Sequence, residues 1–389
     1  MKIAIIGAGI AGILPAYYLA KRGHDITIYD QEHYAAMRTS YANGGQISVS
    51  NSEVWTTWAN VIKGLKWLLK KDAPLLIRPQ LDYDQLKWIA KFLHHTASNV
   101  YRQNTIDTIT LGLESRTLYQ EIIDEENITF DHSACGILHI YKSDKYFQPT
   151  YEVKELYESH GCSWQILDNE QQLLDIEPNL KYFKNLVGGG WTAEDWVGDI
   201  HKFCNELLKV LVSKYSACVS FNNEINDARQ LTSIHDAVII AAGAETTHLS
   251  KLLGDSIDVY PVKGYSITIN DCHIDELPKV SLLDDESKIV TSTLGNRLRV
   301  AGTAELCGHN RDITRSRIEP LLNWVNENFP HLDTRNYSSW ACLRPMTPNM
   351  MPIVCESKVK NIYYHTGHGH LGWTISPATS KKLVSLIEK

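Results

Sequence analysis

An apolar run, Ile3 to Ile6, leads straight into Gly7-Ala8-Gly9-Ile10-Ala11-Gly12. Few short patterns restrict a fold more. The apolar run reads as a strand buried on both faces, the hallmark of a parallel sheet. Glycines at G-x-G-x-x-G spacing then turn the chain into a helix. Gly7 permits the tight turn, Gly9 lets the backbone approach a pyrophosphate, and Gly12 lets the helix pack on the strand. Ile10 and Ala11 open that helix, so their N–H groups and the positive dipole end are free for phosphates. A second strand, Asp25-Ile-Thr-Ile-Tyr29, ends at Asp30, which is placed to accept hydrogen bonds from ribose hydroxyls. Pro15 removes an N–H donor from the helix and is expected to be tolerable only in its first turn or so.

Composition bounds the rest. A chain of 389 residues, 43% hydrophobic and 21% charged, suits a soluble globular protein of two or three domain-sized units. A net charge of −7 argues against broad nucleic-acid binding. The eight cysteines form no C-x-x-C pair, so neither a zinc site nor a redox dithiol is indicated, and they read as reduced thiols of a cytosolic protein. The folded pattern starts at residue 2, which leaves no room for a signal peptide. No apolar run approaches the ~18 residues of a membrane-spanning helix.

Asp236 to Ala242 is a second continuous apolar strand, running into a turn at Gly243, and Ile362-Tyr-Tyr364 is a third. Residues 257–303 alternate as antiparallel strands. Helices are expected at 54–71, across 85–125, at 150–159, 169–175, 199–214 and 315–328, and from Pro377 onward. The pattern is α/β, α+β overall. A nucleotide-binding domain is built from 1–50, 185–250 and 335–389, and a second domain from 51–184 and 251–334. In the 54–71 helix, Val54, Trp58, Val61, Ile62, Leu65, Leu68 and Leu69 share one face, while Lys63, Lys66 and Lys70 share another. With Trp55, Trp58 and Trp67, this segment either packs on the core of the second domain or lies on an anionic bilayer.

Seven ordered motifs extend the pattern from end to end. They are Gly7 to Gly12, Ser40-Tyr-Ala-Asn43-Gly44-Gly45-Gln46-Ile-Ser48, and Ala241-Ala242-Gly243-Ala. Then come Pro261-Val-Lys263-Gly-Tyr265-Ser, Arg299-Val-Ala-Gly302-Thr-Ala-Glu305, Leu343-Arg344-Pro-Met-Thr347-Pro348, and Gly367-His368-Gly369-His370-Leu371-Gly372-Trp373-Thr374. Together they resemble the FAD-dependent D-amino-acid oxidase superfamily, and within it the bacterial D-amino acid dehydrogenases of small-subunit type. The resemblance implies a Rossmann-like FAD-binding domain of glutathione-reductase-2 type, with an inserted antiparallel-sheet substrate domain. It implies FAD held by Gly7, Gly9, Ile10, Ala11, Gly12 and Asp30, then by Ser40, Asn43, Gly44, Gly45 and Gln46 along the pyrophosphate-to-flavin stretch. Ala242 and Gly243 continue the site, and Ile225 matches the adenine-binding strand. Gly367, Gly369, Leu371, Gly372, Trp373 and Thr374 would present N–H groups to the flavin ring, where negative charge develops on reduction.

The candidate catalytic set is Arg344, Tyr265 and His368. An amino-acid carboxylate needs a planar, permanently charged, bidentate partner, and Arg344 in L-R-P-x-x-P resembles the superfamily's carboxylate clamp. Tyr265 would add a hydrogen bond or border the pocket. His365, His368 and His370 also read as a metal cluster, but no carboxylate or Cys stands at ligand spacing, so the flavin-loop reading is taken and no metal is expected. His370 departs from the family, in which a small hydroxylated residue is usual at that place. The resemblance implies oxidative deamination of D-amino acids such as D-alanine. Hydride passes from Cα to flavin N5, the products are a 2-oxo acid and ammonia, and the electrons go to a quinone-type acceptor. The expected location is cytoplasmic, with peripheral membrane contact through 54–71. Alternatives are an oxidase or dehydrogenase of D-proline, a hydroxyproline isomer, glycine or sarcosine, a tRNA-modifying flavin module, and an NAD enzyme, which the loops at 40–48 and 365–374 disfavour.

Overall fold

The computed structural model describes residues 1–67, 75–78 and 82–389. β1 (Lys2–Ile6) sends Ile3 and Ile5 into one hydrophobic core and Ala4 and Ile6 into another on the opposite face. That two-sided burial is why its sequence is continuously apolar rather than alternating. α1 (Ile10–Lys21) and β2 (Asp25–Tyr29) complete the first βαβ unit, with β2 parallel to β1. The sheet then draws strands from the middle and end of the chain. Its order is Ile353–Glu356, Ile362–Thr366, Ala237–Ile240, β1, β2, Cys218–Ser220, parallel except for the first, edge strand.

Two helices around this sheet carry an internal proline, and each break is repaired from outside. Pro15 lies well inside α1 and cannot bond the Ala11 carbonyl one turn earlier. The Nδ1 of His365 lies 2.6 Å from that carbonyl and takes the place of the missing donor. The last helix, Gly372–Ile387, begins before Pro377 rather than at it. There the orphaned Trp373 carbonyl accepts the Tyr119 hydroxyl at 2.6 Å. A proline past the first turn is therefore tolerated in both helices, because a buried side chain supplies the lost hydrogen bond.

The second sheet is mostly antiparallel, and nine strands belong to it among the described residues. Its order is Tyr337–Met346, Tyr260–Ile269, Arg297–Leu306, Ile289–Leu294, Ser281–Asp284, Ile137–Tyr141, Gly188–Thr192, Gln165–Leu167, and Leu75–Ile77 joins it beside Arg297–Leu306. Two segments placed with the nucleotide domain from sequence, Gly188–Thr192 and Tyr337–Met346, are thus hydrogen-bonded into the other sheet. The glycine run had no side chains to reveal its register. It is glycine because Phe147, Leu173 and Trp164 press on it, within 2.4–2.5 Å of where a Cβ would stand at each position.

Helices α2 (Trp58–Trp67), α3 (Tyr83–Ala97) and α4 (Tyr101–Glu126) follow the first βαβ unit in the chain. α2 starts later than expected, so Val54 and Trp55 precede it, and Leu68, Leu69 and Lys70 lie outside the described residues. Val54 is buried beside Trp88 and Tyr260, whereas no residue of α2 is buried.

Candidate active site

A cleft opens at the carboxyl ends of the parallel strands, where an open α/β sheet binds its ligands. It is lined by Gly7, Gly9, Ile10, Ala11, Asp30, Ser40, Ile225, Ala242, Gly243, Gly369 and Gly372, all expected from sequence, and by His368. Gly7 has φ +111°, and a Cβ there would stand 2.5 Å from the Ala241 carbonyl oxygen. Gly12 lies beneath the cleft, where a Cβ would fall 1.9 Å from the Gly7 carbonyl oxygen. These two positions admit glycine alone, and the tight turn aims α1 at the cleft. The Ser40 hydroxyl accepts the Ile10 N–H at 3.1 Å, closing one side of the helix entrance. Asp30 accepts the N–H groups of Ala8 at 2.6 Å and Glu32 at 2.8 Å, which fixes its carboxylate and leaves lone pairs over.

The loop around Asn43 does not line this part of the cleft; it is clamped to the second sheet. Ser266 donates to the Ala42 carbonyl at 2.6 Å, Arg299 to the Asn43 carbonyl at 3.0 Å, and Ser292 to the Gly44 carbonyl at 2.7 Å. The Asn43 side chain accepts the Gly45 N–H at 2.9 Å. Gln46 turns its amide to Ser281, 2.8 Å away, and so ties its loop to the second sheet rather than facing the cleft. The Trp373 indole packs among Tyr119, Phe130 and Phe203, away from the cleft, which leaves only its backbone for the expected contact. The Thr374 hydroxyl accepts the Ser48 N–H at 3.1 Å. Leu371 is the N-cap of the last helix, and Gly367 packs against Thr347. The backbone of this turn still opens the helix towards the cleft at Gly372.

Arg344 sits in Tyr337–Met346, paired with Val262 of Tyr260–Ile269. Residues directly opposite on antiparallel strands project from the same face, so Arg344 shares its face with Val262, Gly264 and Ser266. Its guanidinium lies over Gly264, where a Cβ would come within 2.4 Å of Nη2. Burial lowers its pKa from the ordinary value, and no carboxylate acts on it. Among the described residues no acceptor pairs with this cation. This half-buried guanidinium, without an acceptor among the described residues and on the face that clamps the Ala42–Gly44 loop, is free to pair with an anion.

Tyr265 occupies the other face. It projects with Lys263 and donates to Glu305 at 2.5 Å. Lys263 in turn lies 3.2 Å from Glu305 and 2.8 Å from Asn310. The expectation that Tyr265 borders the substrate is therefore corrected: one residue of strand separates it from Gly264 and turns it into the hydrophobic core. His368 lines the cleft but spends its Nε2 on Thr379, 2.9 Å away, a hydroxyl it shares with His365 at 2.9 Å. Burial holds both imidazoles far towards the neutral form, His365 at a pKa of about 4. Three His are thus present without a metal set, and no group of metal-binding side chains occurs among the described residues.

Sequence reasoning missed the pairing of Trp55 with His370. Their rings stack 4.7 Å apart at 24°, close enough to Arg344 for its charge to depress the His370 pKa. The departure of His370 from the family pattern was the available signal. Trp55, in the segment read either as packed on the core or as lying on a bilayer, faces this ring.

A cleft of dinucleotide-binding type at the strand ends of one sheet, walled on another side by strand Tyr337–Met346 of the second sheet, is the arrangement of a flavin-type oxidoreductase. The chain belongs to the DAO family, described as FAD dependent oxidoreductase, which matches residues 2–386. It is 43% identical to "D-amino acid dehydrogenase 3" of Mesorhizobium japonicum, over 99% of this chain and 97% of that protein. It is 35% identical to "D-amino acid dehydrogenase" of Dechloromonas aromatica, over 100% of this chain and 97% of that one. The fold is that of glycine oxidase from Geobacillus kaustophilus, with TM-score 0.77 at 19% identity, over 100% of this chain and 94% of that one. Glycine oxidase from Bacillus cereus gives 0.75 at 19% identity, over the same shares.

Proposed function

We propose that the protein is an FAD-dependent D-amino acid dehydrogenase that converts D-alanine and similar substrates to 2-oxo acids and ammonia. The unpaired Arg344 guanidinium carries the reading, and the names of the full-length relatives support the substrate class. FAD, when bound, accepts the Cα hydride. Gly9, Ile10 and Ala11 would hold its pyrophosphate at the start of α1, Asp30 its ribose, and the backbone around Gly372 its ring. Arg344 would take the carboxylate in a bidentate pair and so fix Cα, since positioning supplies much of the rate in such a transfer. Gly264 lets the guanidinium lie flat. The amine must reach the reactive state neutral, and the imine product then hydrolyses to oxo acid and ammonia.

The electron acceptor is proposed to be a membrane quinone, reached from a peripheral position. α2 supports this. Trp58, Ile62 and Leu65 are 55%, 50% and 60% exposed, and Lys63 and Lys66 lie on the same short helix. An amphipathic helix with its apolar side in solvent suits a bilayer surface better than the core. No helix among the described residues is long and apolar enough to cross a membrane. The test is anaerobic. D-alanine should bleach the flavin band quickly and L-alanine should not, and colour should return faster with a soluble quinone than with air. Bleaching by D-proline or glycine alone would replace the substrate. Stoichiometric hydrogen peroxide in air would replace the acceptor with oxygen.

A further inference from the structure

Beside the carboxylate site lies a second polar group with nothing to bind. His370 follows Gly369, whose N–H donates to the Pro345 carbonyl at 2.9 Å, so its loop is fastened to the strand that carries Arg344. One side of its ring is closed by Trp55. Its Nε2 is buried and has no hydrogen-bond partner among the described residues. A neutral imidazole offers one acceptor nitrogen, and Nε2 is the ring nitrogen left without a partner. An unmatched buried nitrogen costs stability, so a partner arriving from outside gains by meeting it.

An α-amino acid has two polar groups one carbon apart, a carboxylate that needs donors and an amine that needs an acceptor. Arg344 has donors only, and the Trp55 indole has no acceptor. We propose that His370 Nε2 accepts an N–H of the substrate amine while Arg344 holds the carboxylate, making His370 a specificity-determining residue of this chain. The inference rests on the carboxylate role given to Arg344. Burial and the Arg344 charge hold His370 neutral, with a pKa of about 3, so it orients the amine without taking its proton. The amine sheds that proton to solvent before reaction. The lone pair freed on nitrogen then forms the C=N bond as the Cα–H bond breaks and its hydrogen leaves with both bonding electrons, the hydride that FAD would accept when bound. An acid of the same size without the amine would leave Nε2 unmatched, which favours amino acids over simple carboxylates.

The test separates the two groups with propanoate, which has the carboxylate of alanine and no amine. Holoenzyme, His370→Leu and His370→Gln are each titrated with propanoate, read by the shift of the flavin spectrum, and with D-alanine, read by anaerobic flavin reduction. Retention of the flavin band reports folding of each variant. The expected result is equal propanoate affinity in all three, with D-alanine half-saturation raised about tenfold or more in His370→Leu and partly restored by the acceptor of His370→Gln. Unchanged D-alanine behaviour in His370→Leu, or equal weakening of both ligands in both variants, overturns the proposal and leaves His370 a packing residue. No response of the unaltered enzyme to propanoate at any concentration would instead overturn the carboxylate role of Arg344 on which the proposal stands.

Discussion

Gly264 decides whether Arg344 is usable. A methyl group there meets the far end of a flexible side chain, so Gly264→Ala is expected to fold, bind FAD and push the guanidinium aside. Because a displacement near 1 Å at a reacting centre costs about 100-fold, kcat/KM for D-alanine should fall by roughly that factor with the flavin spectrum intact. Gly12→Ala meets rigid backbone instead and should purify without flavin, which absorbance reports directly. The need for glycine at Gly7 and Gly12 was legible in sequence, because they lie in a motif whose spacing carries their job, whereas Arg344 stood out only through the family resemblance of its motif. Tyr265 was misplaced because a side chain's face depends on strand register, and K-G-Y-S does not say which of its residues looks at the neighbouring arginine. His370 and Trp55 lie far apart in the chain, so only the fold could reveal their stack.

Proline repair explains how the helices at the cleft are held. Tyr119→Phe removes the donor to the Trp373 carbonyl that Pro377 leaves open, and should lower stability by about 1–3 kcal/mol in denaturant unfolding. Pro377→Ala should recover part of that loss in the double variant, since it returns an N–H to the same oxygen. His365 performs the matching repair at Ala11 and adds a pH dependence. Its folded pKa of about 4 lies below the ordinary 6.5. The unfolded chain therefore binds more protons in that window, so stability should fall as pH drops from about 6.5 towards about 4. His368 and His370, also depressed by burial, act in the same direction. A thermal melting series across that range should show a shallower decline for His365→Asn, which retains a donor but does not titrate. The presence of α1 and the last helix was legible from periodicity and glycine turns. The start of the last helix was not, because Pro377 reads as a beginning when the partner of its lost bond, Tyr119, is unknown.

Across the whole molecule, the parallel sheet drawn from separate stretches of chain was legible because its central strands are unbroken apolar runs. Its borders were blurred where Gly188–Thr192 has no side-chain pattern and where Tyr337–Met346 adjoins the C-terminal segment. The chain thus sets a cofactor cleft at the strand ends of one sheet against strand Tyr337–Met346 of another, and leaves the apolar side of α2 exposed. If α2 seats the enzyme on a bilayer, Trp58→Glu with Leu65→Glu should abolish flotation with phosphatidylglycerol vesicles and leave anaerobic reduction by D-alanine unchanged. Equal flotation of both proteins would place the membrane contact elsewhere. The central claim is that Arg344 holds the substrate carboxylate at the cofactor. Its most direct measurement is anaerobic stopped-flow reduction of the flavin in Arg344→Met. Loss of a buried charge-assisted pair should weaken D-alanine binding by about 3 kcal/mol, or roughly 100-fold, while FAD stays bound. Reduction at the unaltered rate and half-saturation would contradict the account.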